Sequence, residues 1–489
     1  MTSVSQLRDG LLAYWRAHGA LSACAALGLA VVLFIRLAMG FEFPIPWNDE
    51  TAFIAQAFEF SRSGSFFVWG LNQERLLMWM PPGYMLLLAG VYTLFGYSFE
   101  LSRWVSCLLY LGAFGVGLAI VRAHLCGWRL NLALLLGLLA FLSPYSLVIS
   151  NIARMESLYS LIFLGSLLAA LRGKATLGLA LVLLAATVHF NAVYFLLPYA
   201  VLVVWTLVRR ETLRIGPGEL LALVVAGLAL AGYGLFVIKH LDGFWQDMRF
   251  QFAFKLGAPL MGGRPGWTLL LVLLSIPLVQ LLVHRRFAGE TWLSLFGLAF
   301  IAMALNGHSM WYYYGYNIGF WLLLLGVLAS SAAADKARGR FAWTLLAVAL
   351  ALPLAHYASR STPEFEGLKP RLALLSRDFL APRELQRVRD FIQGLPADSR
   401  VSFGYSGVEP FFFEDLARVG ARWSISAHSV IQVFPARRLD YRVLCDSALF
   451  PPYLFVYDWD GYPRKGQDSG CAVIPLNSTV APGPLAPRP

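Results

Sequence analysis

The chain has 489 residues, of which 58% are hydrophobic and only 14% charged; 39 Lys and Arg stand against 28 Asp and Glu, a formal net charge of +11. A soluble domain carries roughly 45–50% apolar and about 25% charged residues, so this chain lacks the polar surface of a water-soluble particle and reads as an integral membrane protein. Disorder, fibres, disulfide scaffolds and, with five cysteines, a metal array are excluded. The basic excess calls for no nucleic-acid partner, because Lys and Arg gather in cytoplasmic loops.

A spanning helix needs about 20 mostly apolar residues. In chain order, spans are expected at 21–41, 103–121, 130–149, 156–171, 175–187, 192–208, 219–237, 267–283, 291–305, 316–332 and 341–357, about eleven in all. Arg8 and Arg16 precede the first, whose apolar run is too long for a cleavable signal peptide and has no small-residue cleavage site after it. Arg36 sits near its outer end and reads as snorkelling to the interface. Every second loop is short and basic: Arg122 and Arg129; Arg172 and Lys174; Arg209, Arg210 and Arg214; Arg285 and Arg286; Lys336, Arg338 and Arg340. All fall on one side with the N-terminus, which places the N-terminus inside and the C-terminus outside.

The stretch 84–95, opened by Pro81-Pro82-Gly83, is too short to span and suits a helix lying in the interface. Counting it as a span would invert every basic loop after it. The outer side then holds a first long loop, 42–102, the segment 150–155, a second long loop, 239–266, the connection 306–315 and the whole tail after 357. That tail, 358–489, is polar and has no spanning run. A helix is expected over 382–393, with Leu385, Val388 and Ile392 on one face, and strands over 400–405, 441–444, 453–457 and 472–475. The fold class is therefore an α-helical polytopic membrane domain, 1–357, followed by a small α/β domain, 358–489, whose Pro- and Ala-rich end is disordered. Cys445 and Cys471 both lie in the latter, where an oxidising compartment would let them pair. No internal repeat is visible, which counts against the commonest transporter plans.

The first outer loop brings Asp49 and Glu50 together just past the first span. Two readings stand: the acids complement the dipole of a helix running through Phe60, or one is a general base held at head-group depth. At the same depth lies Asn151-Ile152-Ala153-Arg154-Met155-Glu156. A charge pair there is costly unless used or paired, and Arg154 has Glu156 or Asp49 as partners. Basic groups on the outer side are the ones orientation does not explain: Arg62, Arg75, Arg103, Arg249, Lys255 and Arg264. Arg suits phosphate through its planar fork; solvated loop charges or contacts to anionic lipid are the alternative. Arg75, just before the interfacial helix, is the first choice as a phosphate ligand, with Arg249 and Lys255 next. His189 and Asn191 flank Phe190 at the outer end of a span, suited to sugar contact or to buried hydrogen bonding. His308 precedes the run Trp311–Tyr314, which an interfacial aromatic belt also explains.

The order of these motifs resembles the GT-C glycosyltransferases, in the branch of protein O-mannosyltransferases and the bacterial aminoarabinose transferase. It consists of an acidic pair after the first span, an aromatic amphipathic helix, Met80-Pro81-Pro82-Gly83-Tyr84 opening an interfacial helix that ends Leu94-Phe95-Gly96, Arg103 heading the next span, and Ala153-Arg154-Met155-Glu156 on the outer side. The likeness covers roughly residues 20–360. It implies a GT-C-like fold, a polyprenyl-phosphate-sugar donor, and inverting transfer to a hydroxyl of a glycan, lipid or protein acceptor. By the same likeness, the site faces the periplasm from a bacterial inner membrane. It also implies Asp49 as the general base, Glu50 as a residue orienting acceptor or donor, and Glu156 as a third acid where relatives carry Asp. Arg154 and His308 would face the donor phosphate, and Trp311 and Tyr313 the sugar. The chain has no His before the Pro-Pro pair, which argues against a true protein O-mannosyltransferase. No Asp-x-Asp motif or His cluster asks for a metal, so no cofactor is expected, although a divalent ion fits the chemistry. A lipid-linked saccharide flippase and a non-enzymatic scaffold are the competing classes; the former calls for charges in mid-membrane.

Overall fold

The computed structural model describes residues 4–38, 48–72, 75–210, 215–257, 264–284, 287–305, 313–332, 382–403, 409–425, 440–446 and 470–475. Ten of the eleven expected spans are helical; 341–357 lies outside the described residues. The helices are α1 (Val4–Ala38), α2 (Asn48–Ser63), α3 (Gly83–Phe95), α4 (Phe99–His124), α5 (Gly127–Phe141), α6 (Pro144–Ser150) and α7 (Glu156–Leu171). They continue as α8 (Ala175–Ala185), α9 (Ala192–Arg209), α10 (Pro217–Lys239), α11 (Leu241–Gly257), α12 (Arg264–His284), α13 (Gly289–Leu305) and α14 (Tyr313–Ala332). α1, α4, α9 and α10 contain runs long and apolar enough to cross a membrane. Leu221, Leu228, Leu235 and Ile238 of α10 are left exposed by the protein, as lipid-facing residues are.

Three helical elements depart from the expected pattern. The first helix begins at Val4, well before its apolar run. The span expected at 130–149 is two helices, because Pro144 lacks an N–H and starts α6 at its first position. The second long loop is largely helix, α11.

The residues between α2 and α3 are tied down from both sides. Gln56, buried on α2, donates to the Leu77 carbonyl at 2.9 Å and accepts from Trp79 Nε1 at 3.3 Å. The Trp79 ring stacks on Phe53 with centroids 4.7 Å apart. Gly83 opens α3 by donating its N–H to the Thr187 carbonyl at 2.7 Å. A Cβ at Gly83 would stand 2.6 Å from that same oxygen, so only glycine allows this approach of the α8–α9 turn. Ser98 caps α4 by accepting from the Leu101 N–H at 2.9 Å.

The C-terminal part has a four-stranded sheet: β1 (Arg400–Phe403), β2 (Arg422–Ile425), β3 (Tyr441–Asp446) and β4 (Gly470–Pro475). The order is β2-β1-β3-β4, with β1 parallel to β2 and β3, and β3 antiparallel to β4. Its helices are α15 (Pro382–Gln393) and α16 (Phe413–Val419), and its core joins Val388, Ile392, Val401, Phe403, Phe412 and Leu416. β2 was not expected; 453–457 lies outside the described residues. The register sets Cys445 opposite Cys471.

This part packs on the end of α2 and the α3–α4 connection. Phe413 stacks against Trp423 (4.6 Å) and Phe58 (5.9 Å), Phe99 meets Phe411 at 4.7 Å, and Tyr97 donates its hydroxyl to the Pro410 carbonyl. Burial pushes the Tyr97 phenol well above its usual pKa, which keeps that donor protonated. A Cβ at Gly70 would overlap the Trp423 carbonyl oxygen.

Candidate active site

Helix ends supply the charges. α2 starts at Asn48 with Asp49 and Glu50 in its first turn, Glu156 opens α7, and Arg36 lies in the last turn of α1. Between α6 and α7, the residues 151–155 form a buried turn.

Arg154 joins two of the acids. Its Nη1 donates to Asp49 Oδ2 at 2.8 Å, and Nη2 and Nε donate to Glu156 at 2.7 and 3.1 Å. Side-chain exposure falls from 16% at Asp49 to 5% at Arg154 and 1% at Glu156. Both partners weighed for Arg154 are thus engaged at once. Asp49 alone of the three acids keeps appreciable access to incoming molecules.

Glu50 differs from the sequence reading. Expected to orient acceptor or donor, it has no exposed side-chain surface and is bound by Arg103 through Nε at 2.7 Å and Nη2 at 2.6 Å. The same carboxylate accepts the Ala153 N–H at 2.7 Å. The reason is helical geometry: successive residues do not share a face, so the neighbours Asp49 and Glu50 point in different directions. Arg103 also lies over the Phe99 ring, 4.6 Å from its centroid.

Arg36 corrects a second expectation. It does not snorkel: it is 1% exposed, donates to Asn151 Oδ1 at 3.3 Å and stands 5.5 Å from the Trp104 ring. Arg75, the first choice for phosphate, is turned to a residue the sequence reading passed over. Its Nη1 and Nη2 donate to Asp247 of α11 at 2.9 and 2.7 Å, and its Nε to Gln246 at 3.1 Å. Asp247 further accepts the Met78 N–H at 2.6 Å. The pair pins the chain ahead of α3 to α11. Nothing in spacing announces a partner 172 residues away.

Arg249 is exposed on α11, and Arg62 is exposed near the end of α2. Lys255 and Arg264 fall in α11 and at the start of α12, but their side chains lie outside the described residues. His308 and Trp311 lie outside them altogether, as does the side chain of Tyr313. His189 is 1% exposed, accepts the Asn191 N–H on Nδ1 at 2.9 Å and lies 5.2 Å from the Tyr159 ring. Tyr159, three residues beyond Glu156 on α7, pairs hydroxyl to hydroxyl with Tyr314. The α8–α9 turn carrying His189 and Asn191 is thereby joined to the helix that Glu156 opens. Among the described residues no group of three His, Cys, Asp or Glu side chains could hold a metal ion.

The fold is similar to that of ArnT from Cupriavidus metallidurans. The ArnT structure bound to undecaprenyl phosphate aligns with a TM-score of 0.52 and 17% identity, covering 88% of this chain and 93% of that one. The apo form aligns with a TM-score of 0.49 and 17% identity over 87% and 93%. No family model and no curated protein matches the sequence. The likeness to the first shows the fold: a polytopic helical membrane fold like that of ArnT.

Proposed function

We propose that the protein is a membrane glycosyltransferase that moves a sugar from a polyprenyl-phosphate donor to a hydroxyl of a glycan, lipid or protein acceptor. The observation that carries the reading is Asp49, the one accessible carboxylate of the cluster, held by Arg154 at the start of α2. The fold supports the donor class, since the similar ArnT structure holds undecaprenyl phosphate. Asp49 takes the proton of the acceptor hydroxyl as its oxygen bonds to the anomeric carbon. The bond to phosphate oxygen breaks on the opposite face, and the electron pair leaves with the polyprenyl phosphate, so configuration inverts. Carboxylates beside an oxocarbenium-like transition state also stabilise it, and basic groups such as Arg249, Lys255, Arg264 and His308 meet the departing phosphate. Trp311, Tyr313 and Asn191 contact the sugar or the acceptor, and His189, 1% exposed, supports Asn191 by accepting its N–H. A phosphate monoester leaves readily enough that no metal is required. The site faces the outer side, the periplasm of a bacterial inner membrane, by the disposition of the basic loops. Charges at helix ends rather than in mid-membrane favour this reading over a flippase.

Transfer from a synthetic polyprenyl-phosphate sugar, measured in detergent with wild type and Asp49→Asn, tests the reading. Loss of about 10²-fold or more in kcat is expected for removal of a general base; near-normal turnover in the variant refutes it.

A further inference from the structure

We propose that Glu50 and Arg103 are positioning residues: the Glu50 carboxylate, held by Arg103, fixes the Ala153 amide and so sets the direction from which Arg154 meets Asp49. The inference rests on the transfer reaction proposed above. Neither Glu50 nor Arg103 has exposed side-chain surface, so neither touches a substrate. Their effect on the site has to pass through what they hold.

What they hold is the turn that carries Arg154. Glu50 Oε1 accepts at 2.7 Å from Arg103 Nε and at 2.7 Å from the Ala153 N–H. Asp49 Oδ2 accepts at 2.8 Å from Arg154 Nη1. Two consecutive residues of α2 therefore grip two consecutive residues of the turn. One contact would let the turn pivot about it, whereas two fix its orientation relative to α2. The turn 151–155 is not part of a helix; its start is tied by the Asn151 N–H to the Val148 carbonyl and by Arg36 to Asn151 Oδ1, while the contacts from Glu50 and Asp49 hold its far half against α2. A displacement of about 1 Å at a catalytic group costs on the order of 10²-fold in rate.

A buried ion pair is weak grounds for stability, because apolar residues of the same volume often serve as well. An apolar pair cannot accept the Ala153 N–H. That acceptor is what the pair supplies to the site, and two double variants separate it from the charges. Glu50→Gln with Arg103→Met removes both charges and keeps an acceptor oxygen at residue 50. Glu50→Leu with Arg103→Met removes the acceptor as well.

Both double variants and Glu50→Gln are purified with wild type and Asp49→Asn. Melting temperature, kcat, the two KM values and hydrogen exchange of the 151–155 amides are then measured. The expected result is kcat within about tenfold of wild type for the Gln/Met variant and a loss of about 10²-fold or more for the Leu/Met variant. KM for donor and acceptor stays within twofold in Glu50→Gln, and exchange at 151–155 accelerates only in the Leu/Met variant. Equal kcat and equal exchange in the two double variants overturn the proposal. So does a tenfold rise in either KM for Glu50→Gln with kcat kept, which would mean that Glu50 contacts substrate. If the Leu/Met variant does not fold, a 10²-fold loss of kcat in a well-folded Gln/Met variant overturns it, and retention supports it. A wild type that transfers no sugar defeats the functional reading instead, and exchange at 151–155 still judges the coupling.

Discussion

Arg154→Met removes the guanidinium that donates to Glu156, a carboxylate that is 1% exposed, and the structure sets the size of the effect. Exposed ion pairs are worth about 0–1 kcal/mol, and the Asp49 half of the bridge, 16% exposed, falls nearer that class. The Glu156 half does not. Its contacts at 2.7 and 3.1 Å lie inside the protein, and breaking a buried pair by deleting one partner costs about 3–5 kcal/mol because the other charge stays behind. A neutral replacement of both partners is often no worse than the pair itself. Arg154→Met is therefore expected to lose about 3–5 kcal/mol of stability, and Arg154→Met with Glu156→Met to regain most of it. Transfer activity returns in neither, since both lack the Arg154 guanidinium that holds Asp49. Tryptophan-fluorescence melting in detergent reads the first comparison, and the donor assay reads the second. A single variant that melts with wild type, or a double variant no more stable than the single, refutes the reasoning that Glu156 is a buried charge dependent on Arg154.

Three further outcomes follow from contacts elsewhere. Asp247→Ala takes the carboxylate away from the Arg75 guanidinium and the Met78 N–H, leaving Arg75 its bonds to Gln246 and the Leu76 carbonyl, a loss of about 1–3 kcal/mol; hydrogen exchange should rise in both 75–80 and α11, and a rise in α11 alone would mean that the two are not coupled. Phe413→Ala deletes a ring that is 1% exposed and stacked on Phe58 and Trp423, at a cost of about 3–5 kcal/mol; protease should then cut the C-terminal part faster while the helical bundle stays intact. For the cysteines, Pro475 has no N–H, so Tyr441 and Pro475 cannot exchange both ladder bonds, and alternation along the register makes Cys445 and Cys471 a non-hydrogen-bonded pair. Such pairs bring the Cα atoms to about 4.5 Å, within the range that a disulfide spans; non-reducing peptide mapping of protein made in an oxidising compartment should recover the two linked, and two free thiols would refute the expectation.

The spans were legible because a bilayer leaves little choice: apolar runs of sufficient length are helices. The acids of the site were legible for a related reason, since charges at the ends of apolar runs stand out against them. What the sequence hid was direction and distance. Asp49 and Glu50 are neighbours in the chain, yet one is accessible and the other is sealed against Arg103. Arg36 lies at the end of a span, where snorkelling is the usual outcome, but Asn151 and Trp104 hold it inside. Asp247 is one acid in an aromatic, mixed-charge run, and only the fold brings it to Arg75. β2 is four residues, Arg422–Ile425, too short to show a period. The break at Pro144 is masked by the apolar run that continues on both sides of it.

The site's location at helix ends has a physical cause that bears on which charge matters most. Helix ends leave backbone N–H and C=O groups unsatisfied, and a membrane makes such groups costly, so charges of the right sign are cheapest there. Arg36 at the C-terminal end of α1, Asp49 and Glu50 at the N-terminal end of α2, and Glu156 at the N-terminal end of α7 all have the sign that the helix dipole favours, each worth about 0.3–1 kcal/mol. Arg103 does not: it is a cation in the second turn from the N-terminal end of α4. A residue placed against its own dipole and wholly buried needs a specific partner, and Arg103 has a two-point carboxylate and the face of Phe99. Its position is therefore explained by what it holds rather than by where the helix would put it. Glu50, which it holds, is in turn the acid that reaches across to the turn of Arg154.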